Sequence, residues 1–262
     1  MSGLVPLEAK LLLAHVLGRD RAWLAAHGDA GLEPSQASAF DALVRRRSEG
    51  EPIAYLTGRR EFFSLDLEIT PDVLIPRPET ELLVELALTW VPAGSQAPIL
   101  DLGCGSGAVA LAIAHERPNA RVLGVDVSAA AVELARRNAR RLAITNAVFA
   151  ESNWFAQLPP ERFALVVGNP PYVAERDPHL REGDLRFEPP GALVAGADGL
   201  EALRTIAATA PAYLGSPAHL ALEHGHDQSS AVQALLREAG FRSVASARDL
   251  SGIRRVTYGT LG

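Results

Sequence analysis

The spacing of apolar positions changes character along the chain, and the changes divide it. Over residues 6–18 apolar side chains recur at helical intervals (Leu7, Leu11, Ala14, Leu17) and a glycine stands at the stop. Pro34-Ser35 opens a second helix in which Phe40, Leu43 and Val44 face inward, and Arg45-Arg46-Arg47 close its last turn. Cations there complement the helix dipole, so the arginine run reads first as a solvated helix end, with partner docking as the sharper alternative. Past the Pro52–Gly58 stretch the spacing shortens to two, with Leu65, Leu67 and Ile69 alternating against Asp66 and Glu68. Residues 1–72 therefore read as a small helical domain with a short β linker.

A stiff segment, 74–81, leads into a helix over 78–90. From there apolar strand-like runs alternate with amphipathic helices. The strands are expected at 99–101, 121–126, 147–150, 163–167 and 218–223, with an edge hairpin at 242–247 and 254–258. Helices are expected at 108–115, 129–142, 199–213 and 228–239, and a long loop at 173–198. This order predicts an α/β domain over 73–262, with a doubly wound, mostly parallel sheet of seven strands and an antiparallel edge. Ligands of such sheets sit at the carboxyl ends of the strands.

Composition narrows the function. A hydrophobic share of 48% fills a large core, and no stretch is apolar and long enough to span a bilayer. The first residues lack the features of a secretion signal, so a cytoplasmic location is expected. Cys104 is the only cysteine, which excludes an internal disulfide and a cysteine-rich metal site. The balance of 31 acidic against 25 basic residues disfavours a grip on long nucleic acid. The run Glu223-His224-Gly225-His226-Asp227 imitates a metal cluster, but a strand end followed by a turn would scatter its side chains, and no metal is expected.

Two stretches carry candidate chemistry. Asp101-Leu102-Gly103-Cys104-Gly105-Ser106-Gly107 is a glycine-rich turn from strand to helix, whose backbone passes close to a ligand. It also satisfies a dinucleotide fingerprint, but the Asp101 carboxylate would repel a pyrophosphate and favour a ligand carrying an ammonium and a sulfonium. Asp126 ends the next strand where a carboxylate accepts from ribose hydroxyls. Cys104 reads as a small packing residue. The second stretch, Val166-Val167-Gly168-Asn169-Pro170-Pro171-Tyr172, is a buried strand ending in two rigid prolines. The Asn169 side-chain oxygen and the Pro170 carbonyl form a pair of acceptors with the Tyr172 ring beside them. That arrangement suits a planar, conjugated –NH2 group such as a carboxamide or a base amine.

These motifs, in this order, resemble the class I S-adenosylmethionine-dependent amino-methyltransferases, and more narrowly the release-factor glutamine methyltransferases (HemK-like protein-(glutamine-N5) methyltransferases). Asn-Pro-Pro-Tyr alone is shared with adenine-N6 methyltransferases of DNA and RNA. The narrower likeness rests on residues 50–58, Ile75-Pro76-Arg77-Pro78-Glu79-Thr80-Glu81, Arg186-Phe187-Glu188-Pro189-Pro190 and Leu222-Glu223-His224-Gly225. It implies S-adenosyl-L-methionine as methyl donor, S-adenosyl-L-homocysteine as product, and class-one release factors as protein partners. Neither nucleic acid nor membrane is implied. Asp101, Gly103, Cys104, Gly105, Ser106 and Gly107 would line the methionine part of the donor, Asp126 the ribose and Trp154 the adenine, with Asn169 also in contact with the donor. Asn169, Pro170, Pro171 and Tyr172 would hold the glutamine of a Gly-Gly-Gln motif. Asn153 stands where the family often has aspartate, which removes charge assistance from an adenine contact there. An NAD-type oxidoreductase, a nucleic-acid amino-methyltransferase and a non-catalytic binding module fit the same residues less well.

Overall fold

The computed structural model describes residues 5–158 and 161–262. The chain begins with α1 (Pro6–Leu17), α2 (Arg21–Ala26), α3 (Pro34–Ser48) and α4 (Ile53–Thr57), followed by the antiparallel pair β1 (Arg59–Phe62) and β2 (Leu65–Glu68). Pro6 and Pro34 each stand at the first turn of a helix, where a missing N–H leaves nothing unpaired. The short α2 was not expected. Asp20 caps it by accepting from the Trp23 N–H at 2.7 Å.

The larger part follows as α5 (Glu81–Trp90), β3 (Pro98–Leu102), α6 (Ala108–Glu116), β4 (Arg121–Asp126), α7 (Ala129–Arg141), β5 (Ala147–Glu151) and β6 (Phe163–Gly168). It closes with α8 (Glu201–Thr209), β7 (Leu214–Glu223), α9 (Ser229–Glu238), β8 (Arg242–Arg248) and β9 (Arg254–Leu261). The seven strands lie in the order β5-β4-β3-β6-β7-β9-β8. Pairs are parallel from β5 to β7, and β9 runs antiparallel to both of its neighbours. The expected class I methyltransferase sheet, with its antiparallel edge, is the one observed. The loop 173–198 holds three short 3-10 turns, at Pro178–Arg181, Gly183–Phe187 and Pro190–Ala192.

The two faces of the sheet are built by alternation. On β3 and β6, Ile99, Leu165 and Val167 point into one apolar layer with α5, α6 and α7. Leu100 and Val166 point into the other, with α8 and α9. Burying each such side chain contributes about 1.5–3 kcal/mol, so both faces are held firmly. The hairpin residues Phe62, Leu65, Leu67 and Ile69 are buried in the first layer. Asn138 staples the hairpin there: it accepts from the Glu68 N–H at 2.7 Å and donates to the carbonyls of Glu68 and Ser106 at 3.0 Å each.

Strand order places the functional end. Chain order runs outward from β3 through β4 to β5, then returns to the other side of β3 with β6. The carboxyl ends of β3 and β6 therefore diverge into separate loops, and a crevice opens between them.

Candidate active site

A cavity of about 270 Å³ occupies that crevice. Asp101, Gly103, Cys104, Gly105, Ser106, Asp126, Trp154, Asn169 and Pro171 line it. Gly107, Pro170 and Tyr172 do not.

Asp101 sits near the end of β3 with 1% of its surface exposed. Its Oδ2 accepts from the Ala110 N–H in the first turn of α6 at 3.1 Å. Removal from water pushes its carboxyl up to about 7, that bond opposes the shift, and the nearby Asp126 adds to it. A cation arriving beside it would restore the ionised form. Asp126 ends β4 and accepts from the N–H groups of Gly105 and Ser128, one on each oxygen, both at 2.9 Å. Each oxygen keeps a lone pair for a second donor.

The glycine turn folds back on β4, with the N–H groups of Gly103 and Cys104 both donating to the Val125 carbonyl. Gly103, Gly105 and Gly107 have φ of 71°, 53° and 84°, which side chains with a Cβ rarely adopt. Gly107 begins α6 from this conformation, away from the cavity wall. The Cys104 thiol is buried, and desolvation pushes its pKa well up, as befits a packing residue.

Trp154 has a φ of 51°, uncommon for a bulky residue. The Ser152 hydroxyl holds that turn by donating to the Trp154 carbonyl at 2.8 Å. The indole lies over the turn, 3.6 Å from where a Cβ on Gly103 would stand. Asn153 also lines the cavity, and its N–H donates to Gln157.

Asn169 leaves β6 with its Nδ2 donating to Thr80 Oγ1 at 3.3 Å. Its Oδ1 is buried and finds no hydrogen-bond partner among the described residues. Tyr172 packs against the α8–α9 layer and turns its hydroxyl to Glu223 Oε1, at 3.3 Å. Gln228 donates from Nε2 to the carbonyls of Tyr172 and Gly199, at 3.0 and 3.3 Å. A Cβ on Gly199 would stand 2.4 Å from the Tyr172 carbonyl oxygen, so only glycine permits this approach.

Comparison with known proteins gives this geometry a family. Residues 79–183 match the methyltransferase small domain, and residues 3–58 match the PrmC N-terminal domain. The release factor glutamine methyltransferase of Xylella fastidiosa is 53% identical over 252 residues, 96% of this chain and 92% of that protein. The chain belongs to the release factor glutamine methyltransferase family. The Escherichia coli member is 48% identical, again over 96% of this chain and 91% of its own. A methyltransferase structure from Pyrococcus furiosus, 19% identical, superposes with a TM-score of 0.59 over 86% of this chain and 99% of that one. It shares the fold.

In this methyltransferase the two proline-rich segments meet over the site. Arg77 donates to Glu188 Oε2 at 2.6 Å, and the Ile75 N–H donates to Glu188 Oε1 at 3.4 Å. The N-terminal helices are tied to the same region. Arg47 donates to Glu8 at 2.7 Å and to Asp184 at 3.3 Å, and Arg186 donates to the Glu49 carbonyl. The solvated-end reading of the arginine run is thus corrected at Arg47, which turns inward, while Arg46 pairs with Glu51 on the surface.

Sequence reasoning passed over Thr80, Asn138 and Gln228, and gave Glu223 no role. One signal was present. Asn138 lies on the apolar stripe of α7 with Ala131, Leu134 and Ala135, and a polar residue there needs partners.

Proposed function

We propose that this methyltransferase moves a methyl group from S-adenosylmethionine to the side-chain amide nitrogen, N5, of the glutamine in the Gly-Gly-Gln motif of class-one peptide-chain release factors. The observation that carries the reading is the buried, unpartnered Oδ1 of Asn169 in the wall of a cavity that Asp101 and Asp126 also line. An unsatisfied buried acceptor costs about 1–3 kcal/mol, so it is suited to a donor that arrives with the ligand.

The cavity residues fit S-adenosylmethionine. The buried Asp101 carboxyl suits an ammonium group, and the turn from Gly103 through Cys104, Gly105 and Ser106 to Gly107 follows the methionine part. The free lone pairs of Asp126 suit the ribose hydroxyls, and the Trp154 indole suits the adenine. When bound, the cofactor supplies a methyl group made electrophilic by its sulfonium, and it leaves as S-adenosylhomocysteine.

The chain's own residues do the rest. An amide nitrogen is a weak nucleophile because its lone pair is shared with the carbonyl. Asn169 Oδ1 and the Pro170 carbonyl accept from its two N–H groups, which fixes the lone pair's direction and stabilises positive charge as the nitrogen attacks. Pro171 and Tyr172 keep those acceptors rigid. After transfer the nitrogen is strongly acidic and loses its proton to water or a neighbouring acceptor.

Residues 1–72 are assigned to docking the release factor and residues 73–262 to transfer. The ties from Arg47 and Arg186 between the helices and the loop 173–190 support a shared docking surface. Flanking glycines would let the substrate loop thread the entrance. The reading calls on neither nucleic acid nor membrane as a partner.

The test is Asn169→Ala. It should lower the single-turnover rate by about 10²–10³ while cofactor affinity stays near that of the parent. A rate within a few-fold of the parent would reduce Asn169 to a turn residue.

A further inference from the structure

Glu223 is a carboxyl at the centre of the sheet with no assigned role. It is the last residue of β7, 1% exposed, and β7 is covered on both sides by neighbouring strands. Leu222 pairs with Gly168, so Glu223 and Asn169 leave adjacent strands at the same level. Its Oε1 accepts from the Tyr172 hydroxyl at 3.3 Å, while its Oε2 is buried with no hydrogen-bond partner among the described residues. A carboxyl in such a place costs stability unless its oxygens find partners.

The purpose is visible one residue away. Asn169 has an amide whose two ends are nearly the same size, and the neighbour of Nδ2 decides which end is left for a ligand. That neighbour is Thr80 Oγ1, which is 4% exposed. A threonine hydroxyl both donates and accepts. Were its proton turned toward Asn169, the amide would flip, and –NH2 would face the cavity in place of the acceptor. The Thr80 hydroxyl acts on the Glu223 carboxyl without closing a hydrogen bond to its free Oε2 in this structure, and an ionised carboxylate only accepts.

We propose that Glu223 is a positioning residue for methyl transfer: it draws the hydroxyl protons of Thr80 and Tyr172 to itself, leaves a Thr80 lone pair for Asn169 Nδ2, and so keeps Asn169 Oδ1 aimed at the amide to be methylated. This rests on the glutamine reading above and deepens it. Tyr172 belongs to the same arrangement: its hydroxyl is anchored on Glu223 and its carbonyl on Gln228, so both ends of the residue after the two prolines are fixed.

The groups around Glu223 define how it titrates. Desolvation pushes its carboxyl up to about 7; the Thr80 and Tyr172 hydroxyls and the Arg255 guanidinium oppose the shift, and Glu79 adds to it. Protonation adds a donor to Glu223 and leaves fewer acceptor sites for the two hydroxyls, so the rate at saturating cofactor should fall as pH drops below about 7.

The experiment measures single-turnover methylation of purified release factor in parent, Glu223→Gln, Thr80→Val and Thr80→Ser proteins, across pH, with cofactor binding followed separately. Glu223→Gln, which replaces one acceptor oxygen by a donor, should slow transfer about 10- to 100-fold, by analogy with losing the outer partner of a metal ligand, with cofactor affinity within about twofold of the parent. Its pH profile should lose the acid limb. Thr80→Val should slow transfer similarly, and Thr80→Ser, which keeps the hydroxyl, should recover most of the rate. A Glu223→Gln rate within about threefold of the parent, or Thr80→Ser as slow as Thr80→Val, would overturn the role of Glu223 while leaving the glutamine reading intact. A parent protein that transfers no label to release factor would overturn both.

Discussion

Arg77 and Glu188 form an ion pair 2.6 Å long across the two proline-rich segments that meet above the cavity. The Glu188 side chain is fully covered, and Arg77 is partly so. Desolvation raises the pKa of Glu188, and Arg77 is the chief opposing influence. The pair therefore holds the roof of the site through a carboxylate that has been removed from water.

Removing only the cation should expose that cost. Arg77→Met is expected to destabilise the fold by about 1–3 kcal/mol in urea unfolding at pH 7, because it leaves a buried charged acceptor without its partner. Adding Glu188→Gln should recover part of the loss, since the remaining group no longer carries charge. Equal stability of the single and double variants would show that the Glu188 carboxylate left without Arg77 carries no such cost.

Asp126 should report on the cofactor directly. Asp126→Ala removes the acceptor assigned to the ribose hydroxyls and also frees the Gly105 and Ser128 N–H groups. S-adenosylmethionine binding, measured by calorimetry, should weaken by about 1.5–3 kcal/mol, the worth of hydrogen bonds to a charged group. An unchanged Kd would remove Asp126 from the binding site.

Asp101 supplies a pH dependence whose sign follows from its surroundings. In the free protein its carboxyl titrates at about 7 because it is buried. An ammonium beside it favours the ionised form, so the pKa in the complex is lower than in the free protein. Binding below about pH 7 must then expel a proton, and affinity should fall by up to about tenfold per pH unit as the medium is acidified. Calorimetry at pH 6 in buffers of different ionisation enthalpy should find close to one proton released. Asp101→Asn should bind weakly at every pH and release none.

Arg47 tests the docking assignment. It joins α1, α3 and the 183–187 turn through Glu8 and Asp184, and each of its partners is at least partly exposed. Arg47→Ala should raise KM for intact release factor by several-fold, about 1 kcal/mol. The Kd for S-adenosylmethionine should not move. An effect on cofactor binding instead would mean that the helices shape the cavity itself.

What the sequence revealed and what it hid have separate physical causes. Asp101, Asp126 and Asn169 were legible because each stands where an apolar strand stops, and parallel sheets gather their ligands at such ends. The glycine turn was legible because its left-handed positions demand glycine. Glu223 was hidden. It stands in a run with two histidines and an aspartate, and nothing local says that β7 lies beside β6, which brings it level with Asn169. Thr80 was hidden for the same reason, since it meets Asn169 only across 89 residues of chain. Arg47 followed a helix-end pattern that is solvated in most proteins, and only tertiary packing turned it inward. The 3-10 turns within 173–198 carry no apolar period that a sequence pattern could detect.

On this reading the methyl group reaches a glutamine amide of a release factor. The most direct test incubates the purified protein with methyl-labelled S-adenosylmethionine and three acceptors in parallel: a class-one release factor, the same factor with the Gly-Gly-Gln glutamine changed to alanine, and duplex DNA. Peptide mass spectrometry then locates the label. Label on the glutamine side chain of the first acceptor alone is the predicted result. Label on DNA, or on the alanine variant as strongly as on its parent, would contradict it.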